Sequence, residues 1–389
     1  MTNTKKKINI KRCILVAAIL IFIIALLITN KDSEITNELT ILMNNELISL
    51  KDEVIIDEEK NIFFSKDDVQ AIFDNTIYYN EIEEELITTY NEHVALLKVG
   101  EKYTEINDET IELKGMLQKI KDDVYIPMTD LEIVYDIEIA YSESNNRIII
   151  DSVLKEKKQA AVIQRTNLKK KKGVFSSKLD KLIIGENVVI LEDLGNYKKV
   201  RSPRGNIGFI KSNKLSNEVT IREKVENKKI DLQVYKNYSN ISGIYDDIQV
   251  DESKLNVVIP TFFYLDKNSK VLDKSNSSTA TYSIYEEWAR KNSLQILPVF
   301  TNNESVSDNL LSYSERSKVI NSLMALLIDH NYIGINIEIN TIDYLNSFNR
   351  FILELVPRFK EANLKVAVTL NNNLEKDKLE KVVDYIIEK

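Results

Sequence analysis

The stretch "YIGINIEINTID", Tyr332–Asp343, decides how the second half of the chain folds. Successive side chains of a strand point to opposite faces, so Ile335, Ile337 and Ile339 share one side while Asn336, Glu338 and Asn340 share the other. An apolar row of this kind packs under helices. Three polar groups in consecutive inward positions need partners, because bare burial costs about 1 to 3 kcal/mol each. Such a row marks a site.

The flanking sequence sets the architecture. From Lys228 onward the runs "IDLQVY", "LNVVIPTFFYL", "LQILPVF", "YIGINIEIN", "KVAVTLN" and "VDYIIE" are continuous and apolar. Between them lie "YSIYEEWARKN", "ERSKVINSLMALLIDHN" and "DYLNSFNRFILELVPRFKEAN", with Val319, Leu323, Leu326 and Leu327 recurring on one helical face. Doubly buried strands alternating with amphipathic helices predict a β/α barrel or a doubly wound sheet.

The motif resembles that of glycoside hydrolase family 18, the chitinase-like (β/α) barrels, which carry Asp-Gly-x-x-x-Asp-x-Glu on the fourth strand. The corresponding residues here are Ile333, Gly334, Asn336, Glu338 and Asn340. The resemblance covers residues 228–389 and is strongest to bacterial cell-wall and spore-envelope members. It implies substrate-assisted retention, in which a glutamic acid protonates the leaving oxygen and the acid two residues earlier orients the sugar's N-acetyl group. Asn340 stands at the proton donor's position, and a carboxamide has no such proton to give. Losing a general acid forfeits about 10²- to 10⁴-fold in rate. Glu338 sits one rung away, about 6.6 to 6.8 Å along a strand, which disfavours rescue. Counting from "IDLQVY", six strands fit in 162 residues, whereas a closed eight-stranded barrel takes about 250. The expectation is therefore a partial TIM-type barrel with an open seam, unless a partner chain completes it.

Upstream, an internal repeat relates "NIFFSKDDVQAIFDNTIYYNEIEEELITT" from Asn61 to "DVYIPMTDLEIVYDIEIAYSESNNRIIID" from Asp123. Phe64 falls on Ile126, Asp68 on Asp130, Val69 on Leu131, Phe73 on Tyr135, Asp74 on Asp136, Ile77 on Ile139 and Tyr79 on Tyr141. Each copy reads as a strand, an acid capping a short helix, and two alternating strands. Residues 40–152 resemble the copper amine oxidase N-terminal-like domain, an α+β repeat module of Gram-positive cell-surface proteins, which implies a spacer or adhesion role. No histidine or thiolate cluster accompanies it, so no copper, other metal or cofactor is expected.

Residues 155–172, "KEKKQAAVIQRTNLKKKK", read as a basic linker, a solvated face or a contact for anionic wall polymers. Residues 160–217 then resemble a small all-β bacterial Src-homology-3-like barrel, punctuated by Gly185, Gly195, Gly205 and Gly208. Its family binds peptidoglycan peptides or flanks wall hydrolases; Tyr197 and Phe209 are ligand-contacting or purely structural.

The ends complete the organisation. Residues 1–12 carry five basic side chains and no acid, and Cys13–Thr29 is an apolar run of roughly 26 Å as a helix. A transmembrane anchor with the basic tail in the cytoplasm places the bulk of the chain outside the cell membrane; a cleaved signal peptide is the alternative, disfavoured because "LLITNKDSE" holds no A-x-A-like pair of small residues. The formal charge is −8, of which residues 1–12 contribute +5, leaving −13 for the rest. That surface excludes nucleic acid as a partner. Cys13 is the one cysteine, and His93 and His330 are the two histidines, which leaves no thiolate metal site and a poor basis for zinc or a Ser-His-Asp triad. The whole reads as a multidomain envelope protein. It either binds wall glycan or peptidoglycan with catalysis impaired, or is an active glycosidase on N-acetylglucosamine polymers; a truncated product without a selected role is the third reading.

Overall fold

The structure, a computed structural model, describes residues 38–173, 175–223, 230–235, 249–268, 270–274, 279–302, 310–339, 345–370 and 379–388. The basic tail of residues 1–12, the apolar run 13–29 and Asn340 lie outside them. Among the described residues no helix is long and apolar enough to cross a membrane. The chain is multidomain and rich in β-structure, with two compact units: residues 38–62 with 136–223, and residues 63–135 with 230–388. The division falls inside the segment 40–152.

The first unit holds two sheets. In one, the order is Ile137–Ser142, Arg147–Ser152, Thr40–Met43, Glu46–Ile48. Asn44 and Asn45 join the last two strands with φ of 49° and 73°, the left-handed pair that a two-residue hairpin turn demands. The other sheet is antiparallel and seven-stranded, running Lys178–Leu182, Thr166–Lys169, Ile207–Lys211, Tyr197–Arg201, Asn187–Asp193, Lys157–Ala161, Val219–Arg222. Ala160, Val162, Leu168, Leu182, Val188, Val200, Ile210 and Leu215 form its core. The basic segment 155–172 is thus no linker. It supplies two of the strands, because Lys157 turns its ammonium onto Asp151 at 2.8 Å and Glu138 at 2.7 Å while Ala160 and Leu168 face inward. Long lysine stems lie along a sheet without exposing its apolar face. At Gly208 a Cβ would lie 2.5 Å from the Lys169 carbonyl oxygen, so the strands meet only over glycine. Tyr197 and Phe209 are half-buried.

In the second unit the internal repeat pairs with itself. Ile126 of strand Asp123–Pro127 lies opposite Phe64 of strand Ile62–Ser65, Val69 and Leu131 are fully buried, and the rings of Phe73 and Tyr135 pack tilted at 5.0 Å. The copies then diverge. Helix Lys66–Ile72 is capped by Ser65, whose Oγ accepts from the Asp68 backbone N–H at 3.1 Å and donates to the Asp68 carboxylate at 3.0 Å; the expected acidic cap is instead the partner of a serine cap. In the second copy residues 128–136 form turns without a helix, and Asp130 accepts from the backbone of Lys114 and Gly115 at 2.9 and 2.8 Å. Strands Tyr78–Asn80, Glu85–Tyr90, His93–Lys98, Tyr103–Ile106 and Glu109–Glu112 make an antiparallel meander.

The rest of this unit is the expected β/α region. Its elements are β1 (Leu232–Tyr235), β2 (Leu255–Val258), β3 (Thr261–Leu265), β4 (Val271–Asp273), α1 (Thr279–Lys291), β5 (Gln295–Ile296), β6 (Val299–Asn302), α2 (Tyr313–Asp329), β7 (Gly334–Glu338), α3 (Leu345–Glu361), β8 (Lys365–Thr369) and β9 (Tyr385–Ile387). Two runs expected as continuous strands are each split, into β2 and β3 at Pro260 and into β5 and β6 at Pro298, since proline cannot donate to a ladder. The parallel order is β1-β2-β5 and β3-β6-β7-β8-β9, with β4 antiparallel on β3. Sequential parallel neighbours with helical crossovers are the arrangement of a barrel segment.

Helices α2 and α3 cover the sheet through Val319, Leu323, Leu327, Phe351, Leu355 and Phe359, all fully buried. Between them Arg316 grips Glu354 in a two-pronged bond, Nε and Nη2 each at 2.8 Å, while its Nη1 donates to the carbonyls of Leu310 and Leu311. The outer side of these helices carries the meander: Tyr313 packs with Ile87, Val94 and Leu96, and Arg358 donates to Tyr313 Oη at 2.7 Å and Asp108 at 3.1 Å.

Candidate functional site

Strand β7 displays the alternation read from the sequence. Ile335, Ile337 and Ile339 belong to the core shared with the helices. Asn336 points to the other face, where Val257, Ile259, Leu297, Val299, Ala367 and Tyr385 form a second apolar cluster. Val299 and Ala367 flank it in register on β6 and β8.

The strand begins at Gly334 with φ of 155°, where a Cβ would sit 1.9 Å from the Lys365 carbonyl oxygen. Only glycine allows β7 and β8 to approach so closely. This glycine, carried by the motif, serves the packing that aligns the two strands.

Asn336 is fully buried, and its amide is spent on one neighbour: Nδ2 donates to Thr369 Oγ1 at 2.8 Å, and Thr369 Oγ1 lies 3.0 Å from Asn336 Oδ1. Glu338, half-buried, closes the strand opposite Thr301. Thr301 and Thr369, each nearly buried, lie on the same face at the carboxyl ends of β6 and β8. Together these four residues make a polar floor at the strand ends, the position where barrel sites are built. The two threonines escaped the sequence reading; their signal is the polar residue that closes each apolar run, in "VFT" and "VAVT". Asn340, the position matched to the proton donor, lies outside the described residues, as do the segments 303–309, 341–344 and 371–378 that follow these strands.

On the described strand, Glu338 is the one side chain that ionises. Asn336, buried and bonded to Thr369, ties β7 to β8 beneath the floor and exchanges no proton near neutral pH. Of the four, Glu338 alone is half-buried rather than buried, and its carboxylate can accept a hydrogen bond from a hydroxyl or amide group of a polar ligand.

Between β9 and β1 lies a cavity of about 560 Å³, lined by Asp231, Leu232, Lys254, Glu380, Val383, Tyr385, Ile386 and Glu388. Tyr385 Oη donates to the Ile230 carbonyl at 3.0 Å. Burial, with Asp384 and Asp231 nearby, pushes this phenol above its ordinary range.

The histidines take no part in the floor. His330 follows α2 where β7 is about to begin, at the end opposite Glu338, stacked on Tyr332 at 5.0 Å with Nδ1 3.4 Å from Glu286. His93 opens a meander strand. Among the described residues no three His, Cys, Asp or Glu side chains gather in a metal-holding group.

Residues 36–150 match the family model described as the copper amine oxidase N-terminal domain. No curated protein matches the chain. Solved structures similar to it include a class V chitinase from Pseudomonas fluorescens, with 15% identity over 41% of this chain and 53% of that chain at a TM-score of 0.35. The Group IV chitinase of Ostrinia furnacalis has 17% identity over 41% and 51% at 0.34, and a chitinase from Bacteroides thetaiotaomicron 16% over 42% and 53% at 0.34. The chain spans about half the length of each of these chains.

Proposed function

We propose that this chain is an extracytoplasmic cell-envelope protein, held in the cell membrane by residues 13–29, that binds wall glycan or peptidoglycan on the β7 floor with little or no hydrolysis. One observation carries the reading: the inward face of β7 offers a buried carboxamide at Asn336 and a single carboxylate at Glu338, and the sequence continues to a second carboxamide at Asn340. Glu338, the half-buried member of this face, would accept hydrogen bonds from an N-acetylated sugar, and the motif's last position lacks a proton donor. The Src-homology-3-like segment 160–217 supplies a second contact to wall peptides, and the repeat module of residues 40–152 acts as a spacer.

Co-sedimentation of the full chain with insoluble chitin and with purified peptidoglycan tests binding. Retention on at least one is expected, with Glu338→Ala weakening it roughly tenfold or more through loss of a charged hydrogen-bond partner. No retention on either polymer contradicts the proposal. The alternative, an active family 18 glycosidase, is favoured by the one ionisable carboxyl, Glu338, and requires it to act as the acid.

A further inference from the structure

The hairpin joining strands Thr166–Lys169 and Lys178–Leu182 stands out as basic in a chain that is acidic beyond residues 1–12. Residues 165–179 hold six basic side chains and no acid. Lys170, Lys171, Lys172 and Lys178 are exposed, and none forms an ion pair with a carboxylate among the described residues. Elsewhere in the same unit several cations are matched: Lys157 and Arg201 on Asp151, Arg204 on Asp180 and Glu186, Lys198 on Asp193 and Glu218, Arg222 on Glu138.

At the tip stands Phe175, 78% exposed and the most exposed aromatic side chain among the described residues. It contributes nothing to the sheet's core. The tip is held without it, by Lys170 N–H to the Ser177 carbonyl at 3.0 Å, Lys171 N–H to Ser176 Oγ at 2.7 Å and Lys169 Nζ to the Gly173 carbonyl at 3.1 Å. An exposed aromatic ring flanked in sequence by exposed lysines without carboxylate partners among the described residues suits a surface with negative charge outside and hydrocarbon beneath.

We propose that this hairpin docks on an anionic phospholipid surface, with Phe175 entering the acyl boundary and Lys170, Lys171, Lys172 and Lys178 on the headgroup phosphates. A hydrated polyanion would satisfy the lysines and leave the phenyl ring in water, so the ring selects lipid. The inference goes beyond glycan binding and is independent of the β7 floor.

The test places an indole at the tip by Phe175→Trp in a full chain carrying Trp288→Phe, and mixes it with vesicles bearing brominated acyl chains. With phosphatidylglycerol vesicles the emission is expected to shift to the blue and fall at least twofold against unbrominated controls, with little change in pure phosphatidylcholine. Replacing Lys170, Lys171 and Lys172 by Gln is expected to weaken this response roughly fivefold per charge, with an unchanged circular dichroism spectrum. Emission unaltered by anionic vesicles, or quenched equally in phosphatidylcholine, overturns the proposal. So does a response to soluble polyphosphate without one to lipid, which would assign the lysines to a polymer.

Discussion

The Asn336 amide and the Thr369 hydroxyl satisfy each other at 2.8 Å inside the second apolar cluster of the β/α region. Each would be a buried orphan without the other. Asn336→Ala is therefore expected to cost about 2 to 4 kcal/mol, the sum of a stranded hydroxyl and a small cavity, read as a lower urea midpoint. Asn336→Ala with Thr369→Val should recover part of the loss, because both polar partners are then gone. A double variant as unstable as the sum of the singles would show that the pair is not the cause.

Gly334 sets how closely β7 and β8 approach. With a Cβ expected 1.9 Å from the Lys365 carbonyl oxygen, Gly334→Ala must push the strands apart, at a cost of about 2 to 3 kcal/mol or more. A melting temperature within a degree or two of wild type would rule out this close approach.

The pair Arg316–Glu354 is closed off from water, with side chains 3% and 0% exposed. Glu354→Gln is expected to cost about 3 to 5 kcal/mol, since it leaves a buried guanidinium without its counter-charge. Arg316→Met with Glu354→Leu is expected to recover only part of this loss, because hydrophobic replacement of both partners is often neutral but Arg350, 3.5 Å from Glu354, also loses its counter-charge. Equal damage from the single and double variants, measured by urea unfolding, would mean that packing rather than charge dominates.

In the first unit, stability should depend on pH through Asp151. Burial alone would raise its carboxyl, but hydrogen bonds from Arg201 at 2.7 and 2.5 Å and from Lys157 outweigh it and hold the group below the usual carboxylate range. Asp180 shifts the same way: burial opposes it, and bonds from Arg204, Ser202 and Asn206 prevail. A folded value below the unfolded one, about 3.9, gives stability that is fully present above that pH and lost as pH falls through the folded value. Asp151→Asn should thus destabilise by about 3 kcal/mol at pH 7, and the gap to wild type should narrow below about pH 4. A gap that stays constant down to pH 2 would contradict this assignment.

The alternation of Ile335, Ile337 and Ile339 against Asn336 and Glu338 was legible because a period of two survives any tertiary context. So was the repeat, whose matched residues Phe64 and Ile126 turn out to face each other across a ladder. What stayed hidden is of three kinds. Lysine-rich composition masked the strands Lys157–Ala161 and Thr166–Lys169, since long cationic stems lie flat on a sheet while Ala160 and Leu168 supply the core. Arg316 and Glu354 look like surface residues in a helical pattern, and only their pairing across two helices reveals them as buried. Thr301 and Thr369 escaped notice because a threonine ending an apolar run reads as a strand terminus, and its role depends on a neighbour 33 or more residues away.

The polar row of Asn336 and Glu338 was legible in the alternation of the strand, while the chemistry proposed for it rests on position 340. The most direct measurement is release of reducing ends from N-acetylglucosamine oligomers and from peptidoglycan by the full chain. Wild type is expected to release no more than a blank, and Asn340→Glu to raise the rate only if the lost proton donor is the sole defect. Release well above the blank that Glu338→Ala abolishes would contradict a binding module and establish a glycosidase.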